Sequence, residues 1–346
     1  MNSTDKQNIM TFYRYPPVGE DDWRYTFATA RARTLETRML TQATFLDITN
    51  AESYEQAANL LAGTEYEAIP GVKAFTDVEN ILLENRALIR GLFADLMLDK
   101  SIIDIWRARE DFSNMRLAVR RVVTEQALEL DYSHDGAVPP TDFEEVFEQE
   151  NYGLFPDYLQ EAVEQAILGY YKNKDIQEID YAIDRVEWAY RLKKAYELKS
   201  IFLQSLFRTK IDLTNIRTML RLKWREGEQR DVFVEGGFIE LSRYRQGIDI
   251  EYKALPGLFF ATPYYEIIEA GVDYLNSESS FLRLEQQCER HLINFLKTTN
   301  TITAGPQPII AYFLMKENEI RKVRLVLTCK KHVLDVNLIL DRLGER

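Results

Sequence analysis

Cysteine, histidine, glycine and proline are all scarce in this chain of 346 residues. The two cysteines are Cys288 and Cys329, and the three histidines are His134, His291 and His332. Two cysteines form no disulfide framework, and none of these five side chains lies at metal-ligand spacing, so we expect a reducing compartment and no metal site. With only 15 glycines and 10 prolines, a strand-rich architecture with many tight turns is not expected.

Long apolar runs and an excess of basic residues are also missing. The longest apolar windows, such as 309–315, fall far short of the roughly 20 residues that span a bilayer, and residues 1–10 lack an apolar secretion core. The formal net charge of −12 repels nucleic-acid phosphates, although a local basic patch is compatible with it. We therefore expect no direct membrane span and no nucleic-acid partner.

No catalytic or cofactor-binding motif stands out in the sequence. It has no GxxxxGK[ST] phosphate loop, no GxSxG elbow and no HExxH. The acidic run 142–150 contains enough carboxylates for a catalytic or metal-binding pair, but no glycine-turned loop holds them together, so a solvated acidic helix is the simpler interpretation. We predict no catalytic residue, no cofactor and no metal. An all-helical enzyme would need a pocket lined by His291 or by this acidic run.

The segment 211–223, IDLTNIRTMLRLK, has the pattern of a helix. Its apolar positions recur at helical spacing on one face, and Arg217 and Arg221 lie four residues apart on another. Asp212 or Thr214 is suited to cap the free N–H groups of a first turn. We therefore predict that a helix begins in this segment.

This motif occurs three times at nearly constant spacing. Another copy lies at 111–116 and a weaker one at 316–321, and equivalent positions are 101 and then 104 residues apart. Three tyrosine-led helix starts are separated by 104 and 107 residues. Two landmarks in phase indicate internal repeats. The tyrosines are Tyr54, Tyr158 and Tyr265.

We predict an all-α fold made of three similar helical units within one chain. Their approximate bounds are 1–124, which includes an N-terminal lead-in, then 125–226 and 227–346. Each unit runs from a tyrosine-led helix to an arginine-bearing helix. Repetition alone allows a ring or a linear solenoid.

The arginine-bearing helices supply the candidate partner-binding residues. Guanidinium groups form bidentate, charge-assisted bonds with carboxylates, so they suit an acidic partner surface. The alternative is that they form ion pairs between the helices of each unit, because a feature repeated in every unit serves the common fold. The basic run 221–225 is explained equally well by a helix end that favours cations. The candidates are Arg116, Arg120, Arg217, Arg221, Lys223, Arg225 and Arg321.

The segments 24–41, 211–223 and 307–330 together resemble one family. It is the C subunit of prokaryotic vacuolar-type (V/A-type) rotary ATPases, equivalent to the d subunit of the eukaryotic V-ATPase. The resemblance covers nearly the whole chain and includes its threefold repetition. The chain departs from the family in its longer lead-in through Tyr15–Pro17 and in Glu319, which stands where the other two repeats have asparagine.

The resemblance implies a pseudo-threefold arrangement of the units as a funnel with a central opening. It also implies a non-catalytic central-stalk subunit, one copy per complex, that links the central axle of the ATPase head to the membrane rotor ring. Such a socket transmits torque between ATP hydrolysis or synthesis and proton or sodium transport, as a peripheral subunit at the cytoplasmic face of the membrane. Its acidic surface would meet basic residues of these partners. A generic helical-repeat adaptor between proteins is the alternative.

Overall fold

The computed structural model describes residues 12–72, 74–124, 132–227 and 231–344. It confirms the all-α prediction, since every regular element in these ranges is an α-helix or a short 3-10 helix. The first part of the predicted lead-in, residues 1–11, lies outside the described residues.

The described ranges contain four 3-10 helices and fifteen α-helices. Four 3-10 helices lie at Trp23–Tyr25, Tyr152–Leu154, Tyr252–Ala254 and Thr298–Thr301. The α-helices in the described ranges are α1 (Thr26–Glu36), α2 (Gln42–Asn50), α3 (Tyr54–Asn59), α4 (Phe75–Leu96), α5 (Lys100–Thr124), α6 (Pro140–Glu148), α7 (Asp157–Asn173), α8 (Gln177–Glu197), α9 (Ile201–Trp224), α10 (Leu241–Asp249), α11 (Leu255–Leu258), α12 (Tyr265–Glu278), α13 (Leu282–Lys297), α14 (Pro306–Lys331) and α15 (Val336–Leu343).

The chain forms two compact units. One contains Asp99–Leu258 and the described end of Met1–Pro17, and the other contains Val18–Leu98 and the described part of Phe259–Arg346. In the first unit α5 packs against α6, α7 and α8, and α9 packs against α8 and α10; in the second, α14 packs against α1, α2, α3 and α4. The three predicted repeat units rest on sequence equivalence rather than on compactness, and they remain a prediction.

The helix that contains the segment 211–223 begins earlier than the sequence predicts. α9 starts at Ile201, where the hydroxyl of Ser200 accepts the N–H of Leu203 as the cap. Asp212 lies in the middle of this helix and is fully buried. The predicted helix start at Asp212 or Thr214 is therefore wrong, because the side chain of Asp212 binds a neighbouring loop instead of its own helix.

Asp212 and Asn215 hold the loop that leads into α10. The carboxylate of Asp212 accepts the N–H groups of Phe238 at 2.9 Å and Ile239 at 3.1 Å. The side-chain amide of Asn215 donates to the carbonyl of Val234 at 2.8 Å and accepts its N–H at 2.9 Å. N–H and C=O groups of this loop, which lie outside any helix, thus form hydrogen bonds with side chains of α9. We call this arrangement of two side chains and one loop a clamp.

The same clamp occurs 101 residues earlier in the chain. The carboxylate of Asp111, on α5, accepts the N–H of Val138 at 3.0 Å. The amide of Asn114 donates to the carbonyl of Ser133 at 2.9 Å and accepts its N–H at 2.8 Å. The hydroxyl of Tyr158 also donates to Asp111 at 2.7 Å. Burial raises the pKa of Asp111, and these hydrogen bonds oppose that shift.

A third clamp uses charged residues at the equivalent positions of α14. Glu319 accepts the N–H of Leu40 at 2.6 Å and the hydroxyl of Tyr66 at 2.9 Å. Lys316 forms ion pairs with Glu319 and, at 2.6 Å, with Glu65. Each of the three held loops precedes a nine-residue helix, namely α2, α6 or α10. The clamp on each long arginine-bearing helix therefore fixes the loop after which one nine-residue helix begins.

Two glycines allow the held loops to approach the carboxylates closely. A Cβ on Gly237 would overlap the carboxylate of Asp212, and a Cβ on Gly136 would overlap that of Asp111. The two glycines are also 101 residues apart. Glycine is needed here for space, because neither residue has the positive φ that favours it.

We expect Gly237→Ala to lower the free energy of unfolding by about 2 kcal/mol, because the new methyl group displaces a buried acceptor from its backbone donors. Gly91→Ala is the matched control. Gly91 lies inside α4, and a Cβ added to it would have no atom within 4 Å, so alanine there should raise stability by about 0.5–1 kcal/mol. Urea unfolding followed by circular dichroism measures both; equal stability of Gly237→Ala and the parent chain would contradict the clamp.

Candidate partner-binding surfaces

Arg116 and Arg120 face acidic residues of the neighbouring helix α8. Arg116 forms ion pairs with Asp184 and, at 3.4 Å, with Glu187. Arg120 forms an ion pair with Asp180. The structure thus places these two arginines in interhelical ion pairs, which was the alternative to partner binding. A partner-binding role for them remains a prediction.

This ionic cluster continues into a buried arginine that is not among the sequence candidates. Arg191 is 3% exposed and its guanidinium donates to Glu187 at 3.1 Å. It also lies over the rings of Trp188 and Phe207, at 4.9 and 4.6 Å from their centroids. Desolvation lowers the pKa of Arg191 to about 10, against the attraction of Glu187. In the sequence, Glu187 lies four residues before Arg191 and Trp188 lies three residues before it. This helical spacing was the signal that could have identified Arg191.

The basic run at the end of α9 contains a lysine that binds backbone carbonyls and two exposed arginines. The ammonium of Lys223 donates to the carbonyl of Ile248 at 2.9 Å and to that of Ile250, and lies 4.8 Å from the ring centroid of Tyr252. It therefore satisfies carbonyls at the end of α10, as a cation near a helix C-terminus does. Burial lowers the pKa of this ammonium. The other candidates on α9 and just after it are the half-buried Arg217 and the exposed Arg221 and Arg225.

Arg321 on α14 is the most exposed of the paired candidates. Its side chain is 66% exposed and forms an ion pair with Glu289 of α13 at 2.8 Å. The guanidinium also donates to Asn318. The seven candidates lie on α5, α9 and α14 and just after α9, and their role in partner binding remains a prediction.

One of the grooves formed by the described residues lies in the unit that contains α13, α14 and α15. It has a volume of about 480 Å³, and charged residues such as Glu285, Arg290 and Arg342 line it. Neither His291 nor any residue of 142–150 is among its lining residues. His291 is buried instead, with its ring centroid 5.4 Å from that of Tyr264.

Metal-binding and membrane-spanning features are both absent from the described part of the chain. There, no three His, Cys, Asp or Glu side chains are grouped so that they could hold a metal ion. Within the same ranges, no helix combines the length and the apolar character that crossing a bilayer requires.

The sequence is similar to known proteins over nearly its whole length. It matches the ATP synthase (C/AC39) subunit family over residues 28–342. It is 22% identical to the C subunit of the V-type sodium ATPase of Enterococcus hirae over 318 residues, which cover 91% of this chain and 96% of that protein. It is 23% identical to the C subunit of the A-type ATP synthase of Pyrococcus abyssi over 355 aligned positions, which cover 92% of this chain and 90% of that protein. A shorter match, 24% identical over 204 residues, is to the equivalent A-type ATP synthase protein of Methanococcoides burtonii, and it covers 57% of each chain.

We expect Arg116→Ala to lower the free energy of unfolding by about 1–2 kcal/mol, because Asp184 then loses its counter-charge and is repelled by Asp180 and Glu187. Burial already raises the pKa of Asp184 and Arg116 lowers it, so the variant's Asp184 binds its proton more readily in the folded state. The loss of stability should therefore shrink as the pH falls from about 7.5 to about 5.

Arg321→Ala is the matched control for this substitution. Because Arg321 is largely exposed, its removal should change the free energy of unfolding by less than about 0.5 kcal/mol. Urea titrations at the two pH values measure both variants. An Arg116→Ala protein as stable as the parent chain at both values would exclude the structural role of this ion-pair cluster.

Proposed function

The chain belongs to the ATP synthase (C/AC39) subunit family, the C subunits of V/A-type ATPases, and we propose that it acts as a socket in the central stalk of such a complex. The socket joins the central axle of the ATPase head to the rotor ring in the membrane. It has no active site of its own and transmits torque between ATP hydrolysis or synthesis and ion transport. The observation that carries this proposal is the match over residues 28–342.

The interior of the chain supports a torque-transmitting role. The helices α5, α9 and α14 are 25, 24 and 26 residues long, and each carries a clamp in its middle. A buried clamp ties each long helix to a loop, and ion pairs also tie α5 to α8. A subunit that passes torque needs such cross-links, because packed interiors transmit strain instead of absorbing it.

We further propose that the three repeats close into a ring around a central opening, as the family resemblance implies. One contact within the second compact unit supports closure over a linear solenoid. There α14, from the end of the chain, packs against α1 to α4 and clamps the loop at Leu40. In a linear array the last repeat contacts only its immediate neighbour.

The proposed partners are the axle subunits and the rotor-ring subunits, with one copy of this chain per complex. We place the chain at the cytoplasmic face of the membrane as a peripheral subunit. The names of the relatives include both a sodium ATPase and ATP synthases, so the proposal covers proton or sodium transport and either direction of the ATP reaction.

The test is purification of the tagged chain from its own cells in mild detergent. We expect axle and rotor-ring subunits in the eluate. Complexes from cells that lack the chain should retain ATP hydrolysis by the detached head and lose ion transport into vesicles, and adding the purified chain should restore transport. Recovery of unrelated proteins, or full transport without the chain, would refute the socket.

A further inference from the structure

An outward face of the helical stretch 23–36 carries two large exposed aromatic side chains. Trp23 is 65% exposed and Phe27 is 77% exposed, and they lie four residues apart. Ala30, Arg31 and Thr34 continue the same exposed side of α1. We call these five residues the α1 face. Exposed apolar side chains that lie together and are rimmed by polar residues mark interaction sites more often than single exposed ones do.

The opposite side of α1 is firmly fixed to the rest of its compact unit. The hydroxyl of Thr29 donates to the carbonyl of Gly305 at 3.1 Å and accepts its N–H at 3.0 Å. The guanidinium of Arg33 donates to the carbonyl of Thr299 at 2.7 Å and to the amide oxygen of Asn300 at 2.8 Å. The α1 face is therefore presented on a preorganised helix, which lowers the entropic cost of binding.

The charge of this stretch is opposite to that of the chain. Residues 23–38 contain four arginines and one glutamate, whereas the whole chain has a net charge of −12. Arg24 forms an ion pair with Asp22, and Arg33 with Glu36. Arg31 is exposed, and the described residues show no ion pair for it. This chain, which is acidic overall, thus presents a face with two exposed aromatic side chains and an exposed arginine.

The α1 face also lies outside the repeated pattern. In the other two cases the helix that precedes a nine-residue helix is the clamping helix itself, α5 before α6 and α9 before α10. Before α2 stands α1, while the clamp on the loop at Leu40 comes from α14. α1 is therefore an addition to the common set of helices.

We propose that the α1 face docks a helical segment of another subunit of the same ATPase, one whose contact side has apolar residues flanked by carboxylates. The inference rests on the proposed function. From residue 23 to residue 34 the face is about 16 Å long at 1.5 Å per residue, the length of three helical turns. Tryptophan and arginine are the side chains that most often anchor protein interfaces, and exposed guanidinium groups pair with carboxylates.

An anionic membrane surface fits this face less well than a protein does. A helix that lies in a bilayer interface needs a broad apolar side and excess cations, whereas only two large apolar side chains are exposed on the α1 face.

The first test places the photo-crosslinking residue p-benzoylphenylalanine at Phe27 in the complex assembled in its own cells. We expect one major adduct with another ATPase subunit, in a peptide rich in Asp or Glu. The same probe at Leu88 is the control. Leu88 is 69% exposed on α4, and Glu84 and Asp95 are exposed on the same helix, so the charge is opposite and no adduct is expected. Adducts with lipid at position 27 would overturn the proposal in favour of a membrane contact.

The second test measures retention of partner subunits by the double variant Trp23→Ala/Phe27→Ala and by Arg31→Glu. We expect each to retain at least tenfold less of the crosslinked subunit, with an unchanged melting temperature because the altered side chains are exposed. Full retention by both variants, while the parent chain recovers ATPase subunits, would refute the α1 face and leave the socket intact. Failure of the parent chain to recover any ATPase subunit would refute the socket itself.

Discussion

The fold depends on buried polar side chains in the middle of long helices that satisfy the backbone of a loop. Loops usually run over a protein surface, because a buried loop would leave N–H and C=O groups without partners. On α9 the carboxylate of Asp212 and the amide of Asn215 supply those partners at three backbone positions. The loop that leads into α10 can then pack against the core. The position of a short helix is thereby coupled to the packing of a long one.

The third clamp shows how the same task is met with a charge. Glu319 is longer than asparagine and carries a negative charge, yet it is only 3% exposed. A buried carboxylate without a partner is strongly unfavourable. Lys316 compensates that charge and Glu65 joins the pair, while burial raises the pKa of Tyr66, which donates to Glu319 as a neutral phenol. In the third clamp Lys316 and Glu319, joined by Glu65, thus stand in place of the aspartate and asparagine of the other two.

The spacing in the sequence indicated which positions make equivalent hydrogen bonds, but it did not indicate which residues are in contact. Positions 101 residues apart make the same hydrogen bonds, because identical side chains on equivalent helices meet equivalent loops. The predicted helix start at Asp212 failed because aspartate is suited both to a local cap and to a buried tertiary acceptor, and only the fold distinguishes the two. Arg116 and Arg120 share a face as predicted, but their partners on α8 lie 60 to 71 residues away in sequence. Helical spacing groups Phe27 with Ala30, Arg31 and Thr34, but the exposure of this side depends on which side of α1 meets α14, and spacing alone does not give that.

The distinction between repeated and unrepeated features separates structure from recognition in this chain. A side chain that recurs in equivalent helices meets equivalent internal neighbours, as the hydrogen bonds of the clamps show. With one copy of the chain per complex, as proposed above, its partners would not share its internal repetition, and a contact with one of them would draw on features that occur once. α1 is such a feature, since it precedes α2 without clamping it and carries arginines whose charge opposes that of the chain. If the α1 face binds the partner, the clamps and the interhelical ion pairs need only keep the chain stiff.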